Sequence, residues 1–375
     1  MQNDSPAPIR NLFSALLFSC LLTACGGIFN EPAANGLSSD DGPLSPEVAE
    51  ETYQQLRKFP NGVEVAIALI EGDSVRYLGV KRVDDSLTYT QNANALFEIG
   101  SITKVFTASL LAMEVERGRI KLNDPINPWL PFPIKEEREL TFQQLANHTS
   151  GLPRIPDFSL KESLSSQNPY ADFDSAALAA YLSESVKFEG PAGQQYQYSN
   201  TGAGLLAFSL SRITDSSYAE MLAADIFEPL GMDQSTLSHQ QAGEALVPGR
   251  DEKGKPVPNW TFDVLAGAGA VISSVSDLAL FAQAHFDSSA QGLALTRQET
   301  YRVDESMALG LGWHILREEA DLSWYWHNGG TGGYRSSMAI DVQNRKAVIV
   351  LSNLTALGIF SKKIDELCFY LMRQS

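Results

Sequence analysis

Residues 97–108 read Phe97-Glu98-Ile99-Gly100-Ser101-Ile102-Thr103-Lys104-Val105-Phe106-Thr107-Ala108. A serine heads an apolar-periodic run, and a lysine follows three positions later on the face that a helix would bury. The run continues to Arg117 and stops at Gly118, which predicts a helix over 101–117 closed by a glycine. Upstream, apolar stretches at 63–70 and 74–80 flank Glu71-Gly72-Asp73 and predict a hairpin. Downstream, helical patterns occupy 141–147, 174–182, 201–212 and 218–227, and Glu228-Pro229-Leu230-Gly231 stops the last. Residues 231–260 are polar and punctuated by Gly and Pro, so mostly loop. Ser274-Val275-Ser276-Asp277 caps a helix reaching about residue 286. Strand patterns follow at 311–316, 322–327, 335–341 and 346–353, then a closing helix at 357–372. Strands lie at both ends of the chain and helices in the middle, and the short links near the C-terminus imply antiparallel pairing. The expected fold is α+β: an antiparallel sheet flanked by helices, with an all-helical lobe inserted. The α/β lobe takes about 47–110 and 260–375, and the helical lobe about 111–259.

The chain has 375 residues, 44% of them hydrophobic, enough for a large buried core. Its formal net charge of −17 leaves no basic stripe to meet phosphates, so nucleic acid is not an expected partner. Residues 12–24, LFSALLFSCLLTA, form an apolar run of 13 residues. That is short of the ~20 a membrane-spanning helix needs and fits a signal segment. An ordinary signal peptide or a buried helix are the other readings of this run. It ends Leu22-Thr23-Ala24-Cys25, and Gly26 follows. Residues 26–46 are rich in Gly, Ser, Asn, Asp and Pro and read as a flexible tether, with the folded part starting near Ser45-Pro46-Glu47. The cysteines are Cys20, Cys25 and Cys368. Removal of the first and acylation of the second leave no intrachain disulfide.

Three short elements carry chemistry. On a helix Ser101 and Lys104 are neighbours, with Cβ atoms ~5–6 Å apart. The first turn favours negative charge, and a desolvated lysine can take the serine proton. Ser101 is the only serine with a lysine three positions on; a capping serine beside a surface-seeking lysine is the alternative. Tyr198-Ser199-Asn200 is the only tyrosine with an asparagine two positions on. Its phenol can relay a proton and its amide can bind a substrate carbonyl; a turn with Asn200 as helix cap is the alternative. His327-Asn328-Gly329-Gly330 ends an aromatic-rich strand, where glycines let a substrate approach and a free N–H can join an oxyanion hole. The alternative is a Gly-rich hairpin with an incidental histidine. There is no G-x-S-x-G elbow. The five histidines, His148, His239, His285, His314 and His327, have no metal-ligand spacing, so neither metal nor other cofactor is expected.

Taken together, S-x-x-K, Y-x-N and H-x-G in this order resemble the penicillin-recognising serine hydrolases, closest to the class C β-lactamase-related branch. The surroundings match too: FEIGSITKVFTA at 97–108, LTFQQLANHTSGLP at 140–153, PAGQQYQYSNTGAGLL at 191–206, IFEPLGM at 226–232 and AGAVISSVSDLALFAQA at 268–284. The resemblance implies Ser101 as nucleophile, Lys104 and Tyr198 as shared base and proton relay, and Asn200 as ligand of the substrate amide. It implies His327 in place of the third-motif cation, and Ser101 and Gly330 N–H as oxyanion hole, with Gly329 beside them. Arg335 and Asn353 flank the third motif and either reach a substrate carboxylate or serve surface and turn roles. His327 departs from the lysine of true class C lactamases, and the interval from Tyr198 to His327 is short beside theirs. The implied reaction is acylation of Ser101 by an amide, lactam or ester, with a DD-carboxypeptidase or endopeptidase on cell-wall peptide foremost. A β-lactamase, a small-acyl esterase and a non-catalytic peptide-binding lipoprotein are the alternatives. Leu22-Thr23-Ala24-Cys25-Gly26 resembles a lipobox, implying a signal peptide over 1–24, lipid on Cys25 and a periplasm-facing place on the outer membrane.

Overall fold

The computed structural model describes residues 31–38, 42–156, 168, 170–287, 292–319 and 322–374. Cys20, Cys25 and the signal segment lie outside the described residues. The strands are β1 (Ala34–Asn35), β2 (Glu64–Glu71), β3 (Ser74–Val83), β4 (Ser86–Thr90), β5 (Phe97–Glu98), β6 (Ile272–Ser273), β7 (Tyr301–Arg302), β8 (Met307–Leu309), β9 (His314–Glu319), β10 (Leu322–Gly330), β11 (Arg335–Asp341) and β12 (Lys346–Ser352). One sheet runs β1-β4-β3-β2-β12-β11-β10-β9-β8-β7, and β5 pairs with β6 separately. Every pair in the large sheet is antiparallel except β1 with β4. The two ends of the chain meet in its centre, where Val65 of β2 lies opposite Ser352 of β12.

Strand periodicity divides β2 between two cores. Ala66, Ala68 and Ile70 face one, and Val65, Ile67 and Leu69 the other. β12 does the same with Ala347, Ile349 and Leu351 against Val348 and Val350. Strands buried on both faces read as unbroken apolar runs, which is why 63–70 and 346–353 lack polar alternation. Helices α1 (Pro46–Leu56) and α11 (Ser361–Gln374) cover one face. The other carries α2 (Thr103–Glu116) and α9 (Val275–Ala284). Between them in sequence stand α3 (Phe142–Ala146), α4 (Ser175–Ala180), α5 (Asn200–Thr214), α6 (Tyr218–Leu222) and the short α7 (Glu228–Leu230) and α8 (His239–Ala242). The short α10 (Leu293–Thr296) follows α9. The turn chemistry explains several starts: Thr141 and Ser217 form capping boxes for α3 and α6, and Ser274 caps α9.

The tether expected over 26–46 is corrected at 33–37. Ala34 and Asn35 pair with Ser86 and Leu87, and Ala33 and Leu37 are buried. Tyr53 Oη donates to Ala33 O at 2.9 Å. The open edge of β4 would otherwise present unpaired backbone groups, and this segment covers it. Composition alone reads as linker because Gly, Ser, Asn, Asp and Pro dominate it, and among the described residues its buried apolar side chains are Ala33, Leu37 and Leu44.

Candidate active site

The helix expected at 101–117 opens with a tight turn, Gly100–Ile102, before α2. Ser101 sits in that turn. Gly100 has φ +52°, and a Cβ there would fall 2.5 Å from Gly330 N. Glycine lets the serine turn rest directly on the end of β10. Lys104 is 2% exposed. Its Nζ lies 2.9 Å from Ser101 Oγ and donates to Ala268 O at 2.7 Å. Burial, then the nearby Arg154 guanidinium, holds its pKa well below the ordinary lysine value, which favours the neutral amine.

Tyr198 stands at the entry to α5, lines the pocket beside Ser101, and its phenol interacts with the Ser101 hydroxyl. Lys104 Nζ lies 4.9 Å from its ring centre. Burial pushes its pKa up, so it stays a neutral phenol. The cap of α5 is Ser199, not Asn200: Gly202 N–H donates to Ser199 Oγ at 2.9 Å. That frees the Asn200 side chain to line the pocket. Its Nδ2 donates to Tyr170 Oη at 2.6 Å, and its Oδ1 is buried with no partner among the described residues. One atom of this amide is thus left for a substrate amide group.

The third motif owes its openness to register. β9 covers β10 only as far as Trp326, opposite His314. The edge of 327–330 therefore has no strand and faces the Ser101 turn. Thr331 N–H donates to Tyr334 O at 3.0 Å. The next pair, Gly330 with Arg335, is then a non-hydrogen-bonded one, and Gly330 N–H points away from β11. At Gly329 a Cβ would lie 1.9 Å from Ile99 O, so the strand end and the serine turn touch backbone to backbone.

His327 does not supply the cation expected of it. It is fully buried, its Nδ1 lies 2.6 Å from Asn328 O, and burial holds its pKa well below 6.5. Its neighbours Asn328, Gly329 and Gly330 reach the pocket wall instead. Asn353 is likewise structural: its Oδ1 accepts from Glu64 N–H at 2.7 Å and its Nδ2 donates to Pro248 O at 2.9 Å. Among the described residues the cations on the pocket wall are Arg154 and Arg335. Arg335 is ion-paired to Asp365, which also accepts from Asn328 Nδ2 at 3.0 Å. Nothing in the sequence around Arg154 points to it.

The pocket holds about 620 Å³, and among the described residues no carboxylate lines it. Tyr170, Trp260 and Phe262 form one wall, Tyr170 stacked on Phe262 at 4.7 Å. Glu98 fixes that wall, its Oε1 accepting from Trp260 N–H at 3.0 Å and Asn259 Nδ2 at 2.7 Å. Three histidines scattered in the sequence converge on Tyr198: His148, His314 and His327, at ring distances of 4.4, 6.4 and 6.1 Å. All three are driven toward the neutral form, chiefly by burial, His314 to about 4. Among the described residues no group of three or more His, Cys, Asp or Glu could hold a metal ion.

A family model described as Beta-lactamase matches residues 51–362. The chain is 29% identical over 290 residues to Penicillin-binding protein 4* of Bacillus subtilis (strain 168), covering 69% of this chain and 61% of that protein, less than two thirds of its length. It is 24% identical over 374 residues to D-alanyl-D-alanine-carboxypeptidase/endopeptidase AmpH of Escherichia coli (strain K12), covering 94% of each. Among solved structures, a Beta-Lactamase/D-Alanine Carboxypeptidase from Pseudomonas syringae superposes with a TM-score of 0.72 at 19% identity, covering 88% of this chain and 98% of that one. At that identity the likeness shows the fold, which is the one shared by penicillin-binding proteins and β-lactamases.

Proposed function

The chain belongs to the Beta-lactamase family and is a serine hydrolase, and we propose that it acts as a DD-carboxypeptidase or endopeptidase on peptides that carry a free carboxylate. The observation that carries this reading is the pocket charge. Among the described residues that line it, Arg154 and Arg335 are the cations, Arg335 paired to Asp365, and none is a carboxylate, in a chain of net charge −17. Such a local reversal of sign favours an anionic substrate. The relative named D-alanyl-D-alanine-carboxypeptidase/endopeptidase supports the same reading.

In this reading Ser101 Oγ attacks the scissile carbonyl while neutral Lys104, 2.9 Å away, accepts its proton. Tyr198, held as a phenol, donates to the leaving nitrogen and is reprotonated from Lys104. Ser101 N–H, at the first turn of its helix, and Gly330 N–H stabilise the oxyanion. Asn200 binds the substrate amide, and Gly329 lets the end of β10 rest against the serine turn, with the substrate backbone along the open edge of β10. The amine departs, and water then attacks acyl-Ser101 to release the acid.

The test uses benzylpenicillin and a peptide ending in D-alanyl-D-alanine. Expected is a penicilloyl adduct on the wild-type protein, absent in Ser101→Ala, and release of D-alanine from the peptide. Rapid loss of the adduct with accumulating penicilloate and no D-alanine would favour a β-lactamase. Absence of both, with turnover of a p-nitrophenyl ester, would favour an esterase. Substrate binding without turnover would favour a peptide-binding lipoprotein.

The same proposal extends to the N-terminus: Cys25 carries lipid and holds the enzyme on the periplasmic side of the outer membrane. The 13-residue apolar run ending at Ala24, with Cys25 next, supports it. With residue 33 docked on the sheet, seven residues lie between it and Cys25, eight Cα steps, a reach of at most about 29 Å. Cys25→Ala should move the protein from the membrane fraction to the soluble one; an unchanged distribution would count against the anchor.

A further inference from the structure

His148 lies in the loop after α3 and is 4% exposed. Its backbone sits in the left-handed region, φ +58°. Two acceptors of this one residue meet the segment that carries Tyr198. His148 O accepts from Gln197 N–H at 2.7 Å, and His148 Nδ1 accepts from Ser199 N–H at 3.2 Å. Both chain neighbours of Tyr198 are thus held by one residue. The imidazole also lies against the Tyr198 ring, centroids 4.4 Å apart. Adjacent bonds extend the seam: Gly193 N–H to Thr149 O at 2.6 Å and Glu189 N–H to Gly151 O at 2.9 Å.

We infer that His148 is the positioning residue for Tyr198, a neutral clamp that sets the phenol against the Ser101 hydroxyl. This rests on the proposed role of Tyr198 as proton carrier. An accepting Nδ1 places the ring proton on Nε2. The imidazole is therefore uncharged and adds no positive charge beside Lys104, whose neutral form the chemistry needs. Neither ring nitrogen bonds the reacting groups, so His148 acts through Tyr198. A phenol displaced by about 1 Å costs on the order of 10²-fold in rate.

Substitutions at 148 separate the ring bond from the backbone turn. Glycine and asparagine both accept a left-handed φ, but only Asn offers an acceptor, Oδ1, in the place of Nδ1. His148→Gly should lower the rate of Ser101 acylation about 100-fold, in kcat more than in KM. His148→Asn should recover the rate to within about fivefold of wild type. Amide hydrogen exchange over 196–200 provides a readout independent of activity. Ser199 N–H should be protected in wild type and His148→Asn, and exposed in His148→Gly. Thermal melts of all three establish that each is folded. Wild-type acylation and protection in His148→Gly, or failure of His148→Asn to restore either, would overturn the inference. If wild type acylates nothing, the reading of Ser101 and Tyr198 fails, while the exchange data still decide whether His148 clamps the segment 197–199.

Discussion

Gly329→Ala tests the contact on which the site is built. The new Cβ would fall 1.9 Å from Ile99 O and 2.5 Å from Ser336 Oγ. Real Cβ atoms essentially never come within 3.0 Å of such atoms, so the Ile99 side must give by at least 1.1 Å. Ile99 O is backbone and cannot rotate away. It lies two residues before Ser101, and Gly329 lies one residue before Gly330, so the displacement opens the gap between the two oxyanion donors. A misplacement of about 1 Å at reacting groups costs on the order of 10²-fold, and we expect that loss in the acylation rate. Overpacking of this kind costs about 1–3 kcal/mol, and disturbing the 2.7 Å bond from Ser336 Oγ to Ile99 O adds about 1 kcal/mol. The assay is stopped-flow acylation with a chromogenic substrate, alongside denaturant unfolding. Acylation within threefold of wild type at unchanged stability would refute the backbone contact as the feature that sets the donor spacing.

The depressed pKa of Lys104 implies that acylation rises with pH as the amine loses its proton, with a midpoint well below the ordinary lysine value; a pH–rate profile whose limb sits at the ordinary lysine value would contradict this. His314 has a folded pKa of about 4 against ~6.5 unfolded. The unfolded chain then binds more protons between those values, so stability is full above about pH 6.5 and falls as pH drops toward 4, by about 3 kcal/mol at the limit for this group alone. Urea melts across that range should show the fall, and His314→Gln should flatten part of it. Arg335→Ala should raise KM for a carboxylate-bearing peptide roughly tenfold or more and leave a neutral ester little changed; equal effects on both would remove the carboxylate role. Leu37→Ala should destabilise the fold by about 2–4 kcal/mol, measurable by thermal unfolding, whereas a free tether would show no change.

Short-range chemistry is legible in the sequence. Ser101 and Lys104 are neighbours because a helical turn brings positions three apart together, and no distant segment is needed for that. Tyr198 and Asn200 sit on one short entry to α5, and β2, β3, β11 and β12 announce themselves through apolar runs and turn residues. The protonation of the site is not legible there. Lys104 is driven toward the neutral amine by burial among segments such as that of Ala268, 164 positions away, and His327 toward the neutral ring by a desolvation that only packing creates. The histidines around Tyr198 come from the loop after α3, from β9 and from β10, so their spacing in the chain carries no sign of their meeting. The same holds for Arg154 and Arg335 around one pocket, and for residues 33–37, set in a Gly-, Ser-, Asp- and Pro-rich stretch that reads as linker, yet needed to close a sheet edge. Local spacing decides which side chains share a turn; the charge each one carries, and the company it keeps across the pocket, depend on water excluded by segments far away in sequence.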